Sequence, residues 1–148
     1  MNGLLVAGLI LGIGAPAPKE GAKKGASLLT IVGEWHVTAM IIAGEATPVK
    51  SEETVEFTLD GNMTFRGTNT AAPPHRYKTD NSKEMAEFDL ILTARAGKEF
   101  TLKGIYKLDG KTLIVCVEDG GNRAKKFESL KGTNTIMWTL KRVEKKKE

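Results

Sequence analysis

Apolar and polar residues alternate in short runs over most of the chain beyond residue 33, and turn-forming dipeptides separate the runs. The clearest case is GIYKLDGKTLIVCV, from Gly104 to Val117, in which two alternating runs meet at Asp109-Gly110. An Asp-Gly pair tolerates the positive φ angles of a tight turn, and alternation with a period of two is typical of strands. This stretch therefore predicts a β-hairpin, and its pattern recurs along the rest of the chain.

The same criteria predict about eight strands at a regular short spacing, without an amphipathic helix. Val55, Phe57 and Leu59 share one face of a run that ends at Asp60-Gly61. Pro73-Pro74 interrupts strand pairing because proline has no amide hydrogen. The predicted strands lie at residues 33–42, 52–60, 62–67, 85–93, 99–108, 111–117, 123–130 and 135–142.

Consecutive hairpins must leave sheet edges unpaired or close on themselves, and closure is the usual solution in a small domain. We therefore expect an all-β, antiparallel, up-and-down barrel. Eight strands enclose enough space for packed side chains or for one small molecule. The predicted inward residues are mostly bulky, which favours a largely filled core with a shallow apolar pocket at the open end. They include Trp35, Val37, Ile41, Val55, Phe57, Leu59, Met63, Phe65, Phe88, Leu90 and Trp138, with Ala39 and Gly67 as the main small positions.

The two ends of the chain differ in composition from its body. Leu4 to Ile13 form a ten-residue apolar run, which is too short to span a bilayer and fits the core of a secretory signal. The residues between this run and the predicted domain are rich in Pro, Gly, Ala and Lys, a composition typical of a flexible linker. We predict a leader at residues 1–17, a linker at 18–27, a barrel domain at 28–142 and a charged tail at 143–148. Export to the periplasm or cell envelope is the resulting hypothesis.

The net charge of +4 comes from these ends. Residues 1–27 carry +2 and residues 141–148 carry +3, so residues 28–140 carry −1. A nucleic-acid-binding domain would cluster Lys and Arg on one face of the fold. The distribution argues against a nucleic-acid partner, and we interpret the tail as a solvated terminus.

The residues that could carry chemistry are few. His36 and His75 are the only histidines, and neither has a cysteine or carboxylate at metal-ligand spacing. Cys116, the single cysteine, lies inside an apolar strand, on the opposite face from Val115, and we expect a buried, unreactive thiol. No nucleophile elbow, phosphate loop or converging carboxylate pair is recognisable. We therefore predict no catalytic residue, no metal site, no cofactor and a protein that is not an enzyme.

Gly33-Glu34-Trp35 begins the first predicted strand, and Lys141-Arg142 ends the last. First and last strands are neighbours in an up-and-down barrel, so Arg142 can lie across the Trp35 ring in a cation–π contact. This arrangement resembles that of lipocalins and related calycin barrels. We assign Gly33, Trp35 and Arg142 a structural role in that barrel.

Residues 29–142 more closely resemble a family of small uncharacterised lipocalin-like proteins of planctomycetes. The resemblance lies in Gly33-Glu34-Trp35, in EFTLDGN from Glu56, in GIYKLDGKTLIVC from Gly104, in residues 123–127 and in the closing Leu140-Lys141-Arg142. Ala124 departs from the proline expected after Arg123. The resemblance implies a lipocalin-like barrel in exported or envelope-associated proteins, and it transfers no activity.

Two functions are compatible with this sequence. The first is a non-catalytic binding module of the cell envelope that takes a small apolar or amphipathic ligand at the barrel mouth. The second is a protein-interaction or structural module with a filled barrel, which acts through exposed loops at Ala71–His75 and Asp119–Lys126. The sequence identifies no ligand-binding residue for either one.

Overall fold

The computed structural model describes residues 31–67 and 73–146, and the elements of this part of the chain are nine β-strands. The leader and linker predicted at residues 1–27 lie outside the described residues, and so does Ala71 of the first predicted loop. The strands are β1 (Gly33–Ile42), β2 (Glu45–Thr47), β3 (Thr54–Phe57), β4 (Asn62–Arg66), β5 (His75–Asp80), β6 (Glu87–Thr93), β7 (Glu99–Asp109), β8 (Thr112–Glu118) and β9 (Thr135–Arg142).

The sheet closes on itself into an antiparallel barrel. Its strand order is β2-β1-β3-β4-β5-β6-β7-β8-β9, and β1 also pairs with β9. Eight strands, β1 and β3 to β9, form the closed wall, while β2 pairs with the last residues of β1. The prediction of an all-β barrel of about eight antiparallel strands is therefore confirmed. Within residues 31–67 and 73–146, no helix has the length and apolar character that a bilayer crossing requires.

The hairpin of β7 and β8 has the predicted turn. Asp109 pairs with Thr112, and Gly110 between them has a φ of 58°, in the region that the Asp-Gly dipeptide favours. Leu108 pairs with Leu113, which in turn pairs with Leu140 of β9. The most regular part of the sequence thus forms three consecutive strands of the wall.

The predicted faces of β1 are wrong beyond Val37, because the strand contains a β-bulge. Val37 pairs with Leu140, and Ala39 pairs with the preceding residue of β9, Thr139, so Thr38 is an extra residue in the ladder. An extra residue reverses the alternation of everything that follows it. Ala39 is consequently exposed and Ile41 does not join the core cluster, whereas Met40, predicted to face outward, packs against the core.

Leu59, which was predicted to face inward, is 61% exposed because β3 ends two residues earlier. Residues 58–61 form a turn in which the Thr58 hydroxyl accepts a hydrogen bond from the Asn62 amide at 3.1 Å. The strand predicted at residues 123–130 is also wrong. That segment makes one isolated parallel bridge, between Arg123 and Lys103, and otherwise crosses the outside of the barrel.

Strand direction defines two ends of the barrel. The Trp35 end contains the start of β1, the end of β9 and the turn at residues 109–112. The Thr135 end contains the end of β1, the start of β9 and the turn at residues 94–98. Side chains from both ends meet in one core cluster, and five of its seven partly buried members lie towards the Thr135 end.

Candidate functional site

At the Trp35 end the structure brings Gly33, Trp35 and Arg142 together. The Arg142 guanidinium lies 4.2 Å from the centroid of the Trp35 ring, and its Nη1 donates to the Val32 carbonyl at 3.2 Å. The indole Nε1–H of Trp35 donates to the Ile31 carbonyl at 2.8 Å. A Cβ atom at Gly33 would lie 3.2 Å from Nη1 of Arg142, so glycine leaves room for the guanidinium. These contacts cover the fully buried Trp35 and close this end.

Aromatic rings fill the interior next to this closure. Phe57 makes edge contacts with Tyr77 at 5.1 Å and with Phe88 at 6.0 Å, and Phe88 also contacts Tyr106. The Tyr77 hydroxyl donates to the Thr58 carbonyl at 2.8 Å. Burial, with smaller contributions from Asp60 and Tyr106, raises the pKa of Tyr77 to about 12. This part of the barrel is filled by side chains, as the bulky inward residues predicted.

The inner side chains at the Thr135 end are apolar, and several of them are only partly buried. Met40, Val49, Phe65, Leu92 and Ile136 each pack against the core and keep some exposure. Trp138 lies among them, because it pairs with Met40 across β1 and its ring meets that of Phe65 at 6.0 Å and 63°. We call these six residues the mouth layer.

Trp138 has a polar atom without a partner. The residue is 7% exposed, and its indole Nε1–H is buried without any hydrogen-bond acceptor among the described residues. An unsatisfied buried donor costs about 1 to 3 kcal/mol. Trp35, at the other end of the same barrel, donates its indole hydrogen to a carbonyl. Within residues 31–67 and 73–146, the two tryptophans thus differ in whether the indole hydrogen has an acceptor.

Outside the barrel, residues 119–130 cover a second, small apolar cluster of Ile105, Cys116 and Ala124. Arg123 fixes this segment, since its guanidinium contacts Asp89 at 2.7 Å, Glu87 at 3.4 Å and the Gly104 carbonyl at 2.7 Å. The Ala124 amide donates to the Lys103 carbonyl at 3.2 Å, a bond that a proline at this position could not make.

The Cys116 thiol is buried beneath this segment, as its place in an apolar strand predicted. Its sulfur lies 3.5 Å from the Glu128 carbonyl. Burial raises the pKa of the Cys116 thiol, and a bond to the Glu128 backbone only partly offsets that effect. A buried thiol with a raised pKa is a poor nucleophile. Met137, predicted on the outer face, packs against the same cluster.

Two of the cavities that described residues line differ in the chemistry of their lining. One of about 450 Å³ lies beside the 119–130 segment, between Glu118, Lys125, Leu130 and Thr133. The other, of about 330 Å³, lies where β7 extends beyond β6, between Met85, Ala86, Tyr106, Leu108 and Phe127. The first has a mixed polar lining, and the second is predominantly apolar.

The predicted candidates for metal chemistry stay apart. His36 is exposed on β1, opposite Thr54 and Lys141, and His75 begins β5 on another part of the wall. Across the described ranges, no group of three or more His, Cys, Asp or Glu side chains is arranged to hold a metal ion. Trp138, whose Nε1 is the most unusual polar atom of the interior, was predicted only as a core residue, because periodicity reports the face of a side chain and not its hydrogen bonds.

Comparisons of this chain with protein-family models, with curated proteins and with solved structures found no match. The residues of the barrel themselves are therefore what indicates a function.

Proposed function

We propose that this protein is a non-catalytic binding module that takes a small apolar or amphipathic ligand at the Thr135 end of the barrel. The observation that carries the proposal is the contrast between the two ends. Trp35 and Arg142 cover one end with a cation–π contact and hydrogen bonds, whereas five of the six mouth-layer side chains at the other end, all except Trp138, are only partly buried.

The mouth layer has the chemistry of a small-molecule site. Such sites are mostly apolar, with few polar groups that fix the orientation of the ligand. Removal of apolar surface from water is favourable by about 25 cal/mol per Å², and the entropic cost of association offsets part of this gain. Met40, an unbranched side chain that adapts to different shapes, lies within the layer next to Trp138. A ligand seated there would cover the partly exposed side chains of Phe65, Leu92 and Ile136.

The cellular setting of this proposal is the envelope. The apolar run at residues 4–13, followed by the linker, supports export, and the implied likeness to envelope-associated lipocalin-like proteins agrees with it. Both points are predictions from the sequence. A ligand of an envelope protein would come from the lipid-rich surroundings in which apolar small molecules concentrate.

Native mass spectrometry of the full chain, purified from its own envelope without lipid-stripping detergent, tests the proposal. We expect a discrete added mass that is lost on denaturation. Ile136→Asp, which places a charge in the mouth layer, should abolish the added mass, while Ala86→Leu, which narrows the cavity beside β7, should retain it. Loss of the added mass in Ala86→Leu, but not in Ile136→Asp, would assign the ligand to that cavity instead. A bare polypeptide mass in every preparation would contradict ligand binding.

The cavity of about 450 Å³ beside residues 119–130 favours a second candidate, a protein-interaction module. Leu130 on its rim is 55% exposed, and Lys125 and Lys126 flank it. A photo-crosslinking amino acid at position 130 should then yield one defined adduct in intact cells. Arg123→Ala, which releases the segment from Asp89, should abolish that adduct, and an unchanged adduct would exclude this surface.

A further inference from the structure

We propose that the indole N–H of Trp138 is the donor that selects the ligand, and that the ligand carries an uncharged oxygen acceptor such as a ketone, ester or ether. This inference rests on the proposed function, because it concerns the ligand of the mouth layer. It adds the chemical group by which that ligand is recognised.

None of the described residues accepts a hydrogen bond from the Trp138 indole, so this donor remains for a ligand to use. Buried polar groups are almost always paired in folded proteins, and each exception needs a cause. Nε1 of Trp138 is buried without an acceptor among the described residues, while its ring packs against Phe65 in the mouth layer. An acceptor on the ligand would remove this cost. The bound state then gains a hydrogen bond that the described residues do not provide.

The charge distribution indicates that the acceptor is neutral. Among the described residues, the buried polar side chains are Thr54 and Thr135, and no Lys or Arg side chain is buried. The mouth layer itself is entirely apolar apart from the Trp138 nitrogen. A carboxylate buried there would have no counter-ion and would lose its hydration. A carbonyl or ether oxygen needs only the one donor that Trp138 provides.

Two indole resonances make this proposal measurable by NMR, since the chain has two tryptophans. Trp35→Phe assigns the signals by deletion. Three probes of matched size are then titrated into the full chain, namely butyrophenone, butylbenzene and 4-phenylbutanoate. They present a ketone, no acceptor and a carboxylate, respectively. We expect only butyrophenone to move the Trp138 Nε1–H resonance downfield, and to bind about fivefold more tightly than butylbenzene.

Trp138→Phe keeps an aromatic ring in the mouth layer and removes the donor. In this variant butyrophenone and butylbenzene should bind equally. Trp35→Phe is the matched control, because its indole hydrogen is bonded to Ile31, and it should leave the ketone preference unchanged. If Trp138→Phe does not fold, the resonance shift in the natural protein decides the question.

The outcomes separate the two proposals. Equal binding of butyrophenone and butylbenzene to the natural protein, with ligand shifts in the Ile136 and Met40 methyl groups and none at Nε1–H, would overturn the donor role and leave the binding site intact. A water molecule that stays on Nε1–H in the presence of every probe would overturn it as well. Absence of binding by all three probes would overturn both the donor role and the binding site.

Discussion

Trp35 and Trp138 occupy different environments in a single barrel. Trp35 is completely buried, lies under the Arg142 guanidinium and has its indole hydrogen bonded to Ile31. Trp138 has comparable burial and an aromatic neighbour in Phe65, but its indole hydrogen has no acceptor in the part of the chain that the structure describes. The first arrangement is what stability alone would favour. The second one costs stability, and the proposed ligand acceptor would remove that cost.

Removal of the Trp35 side chain should destabilise the protein more than most single substitutions. We expect Trp35→Ala to lower the free energy of unfolding by about 3 to 5 kcal/mol, because a large buried ring is lost and a cavity remains. Urea denaturation followed by circular dichroism measures this change. Lys141→Ala, on the neighbouring exposed position, is the control and should have little effect. A melting temperature unchanged by Trp35→Ala would contradict its assignment to the closed end.

Tyr77 should make stability depend on pH in the alkaline range. Its pKa is raised from 10.0 to about 12, because burial disfavours the phenolate. The folded state therefore holds this proton more tightly than the unfolded state, so the stabilisation is complete below pH 10 and is lost as pH rises towards 12. Tyr77→Phe should show a smaller decline in unfolding free energy across this window. Equal declines in both proteins would show that Tyr77 does not contribute.

At the scale of elements, alternation predicted the strands well wherever one register holds from end to end. The β7–β8 hairpin is such a case, and so is β9, in which Trp138 and Leu140 face inward as predicted. Alternation failed beyond Val37 because a bulge at Thr38 reverses the faces, and a bulge depends on the partner strand. It failed at residues 123–130 because Arg123 bonds Asp89 and Gly104, so that a polar segment crosses the wall.

The mouth layer was predicted in part, through Phe65 and Trp138, since periodicity identifies inward faces and says nothing about how fully each end is covered.

Gly104 of β7 lies directly against the backbone of β8. A Cβ atom at this position would lie 1.8 Å from the Cys116 carbonyl oxygen, and backbone cannot move away without breaking the ladder. We expect Gly104→Ala to destabilise the protein by about 1 to 3 kcal/mol or more. Gly67→Ala is the matched control, because its added methyl meets only Glu53 at 3.8 Å. Chemical denaturation measures the loss of unfolding free energy in both variants. Equal losses would contradict the close approach of the two strands at Gly104.

The 119–130 segment should protect Cys116 only while Arg123 holds it in place. Arg123→Met keeps the length of the side chain and removes its ion pairs with Asp89 and Glu87. We expect Cys116 to react with a thiol reagent at least about tenfold faster in this variant, because local opening becomes easier by about 1.4 kcal/mol. Lys125→Met is the control. Equal rates in the natural protein and in Arg123→Met would show that the segment is held by other contacts.

At the scale of the whole molecule, neighbouring strands of the barrel wall differ in how many residues they pair. β8 pairs with β9 from Thr112–Lys141 to Glu118–Thr135, whereas β4 and β5 pair only at Asn62–Arg76 and Met63–His75 within the described residues. The end of β4 at Arg66 lies at the Thr135 end of the barrel, beside the mouth layer residue Phe65. The weakest part of the wall therefore adjoins the proposed ligand site.

Hydrogen exchange measured by NMR should reveal this inequality and connect it with ligand binding. We expect the amides of β4 and β5 to exchange sooner than those of β8 and β9, since fewer ladder bonds must open. Butyrophenone bound in the mouth layer would pack against Phe65, so it should slow exchange in β4 and leave β8 unchanged. Because the additional protection of the β4 amides comes from the ligand-bound state, the slowing of exchange should grow with probe concentration and saturate. Slowing that is uniform over all strands would instead indicate global stabilisation. It would argue that the short pairing between β4 and β5 has no part in ligand binding.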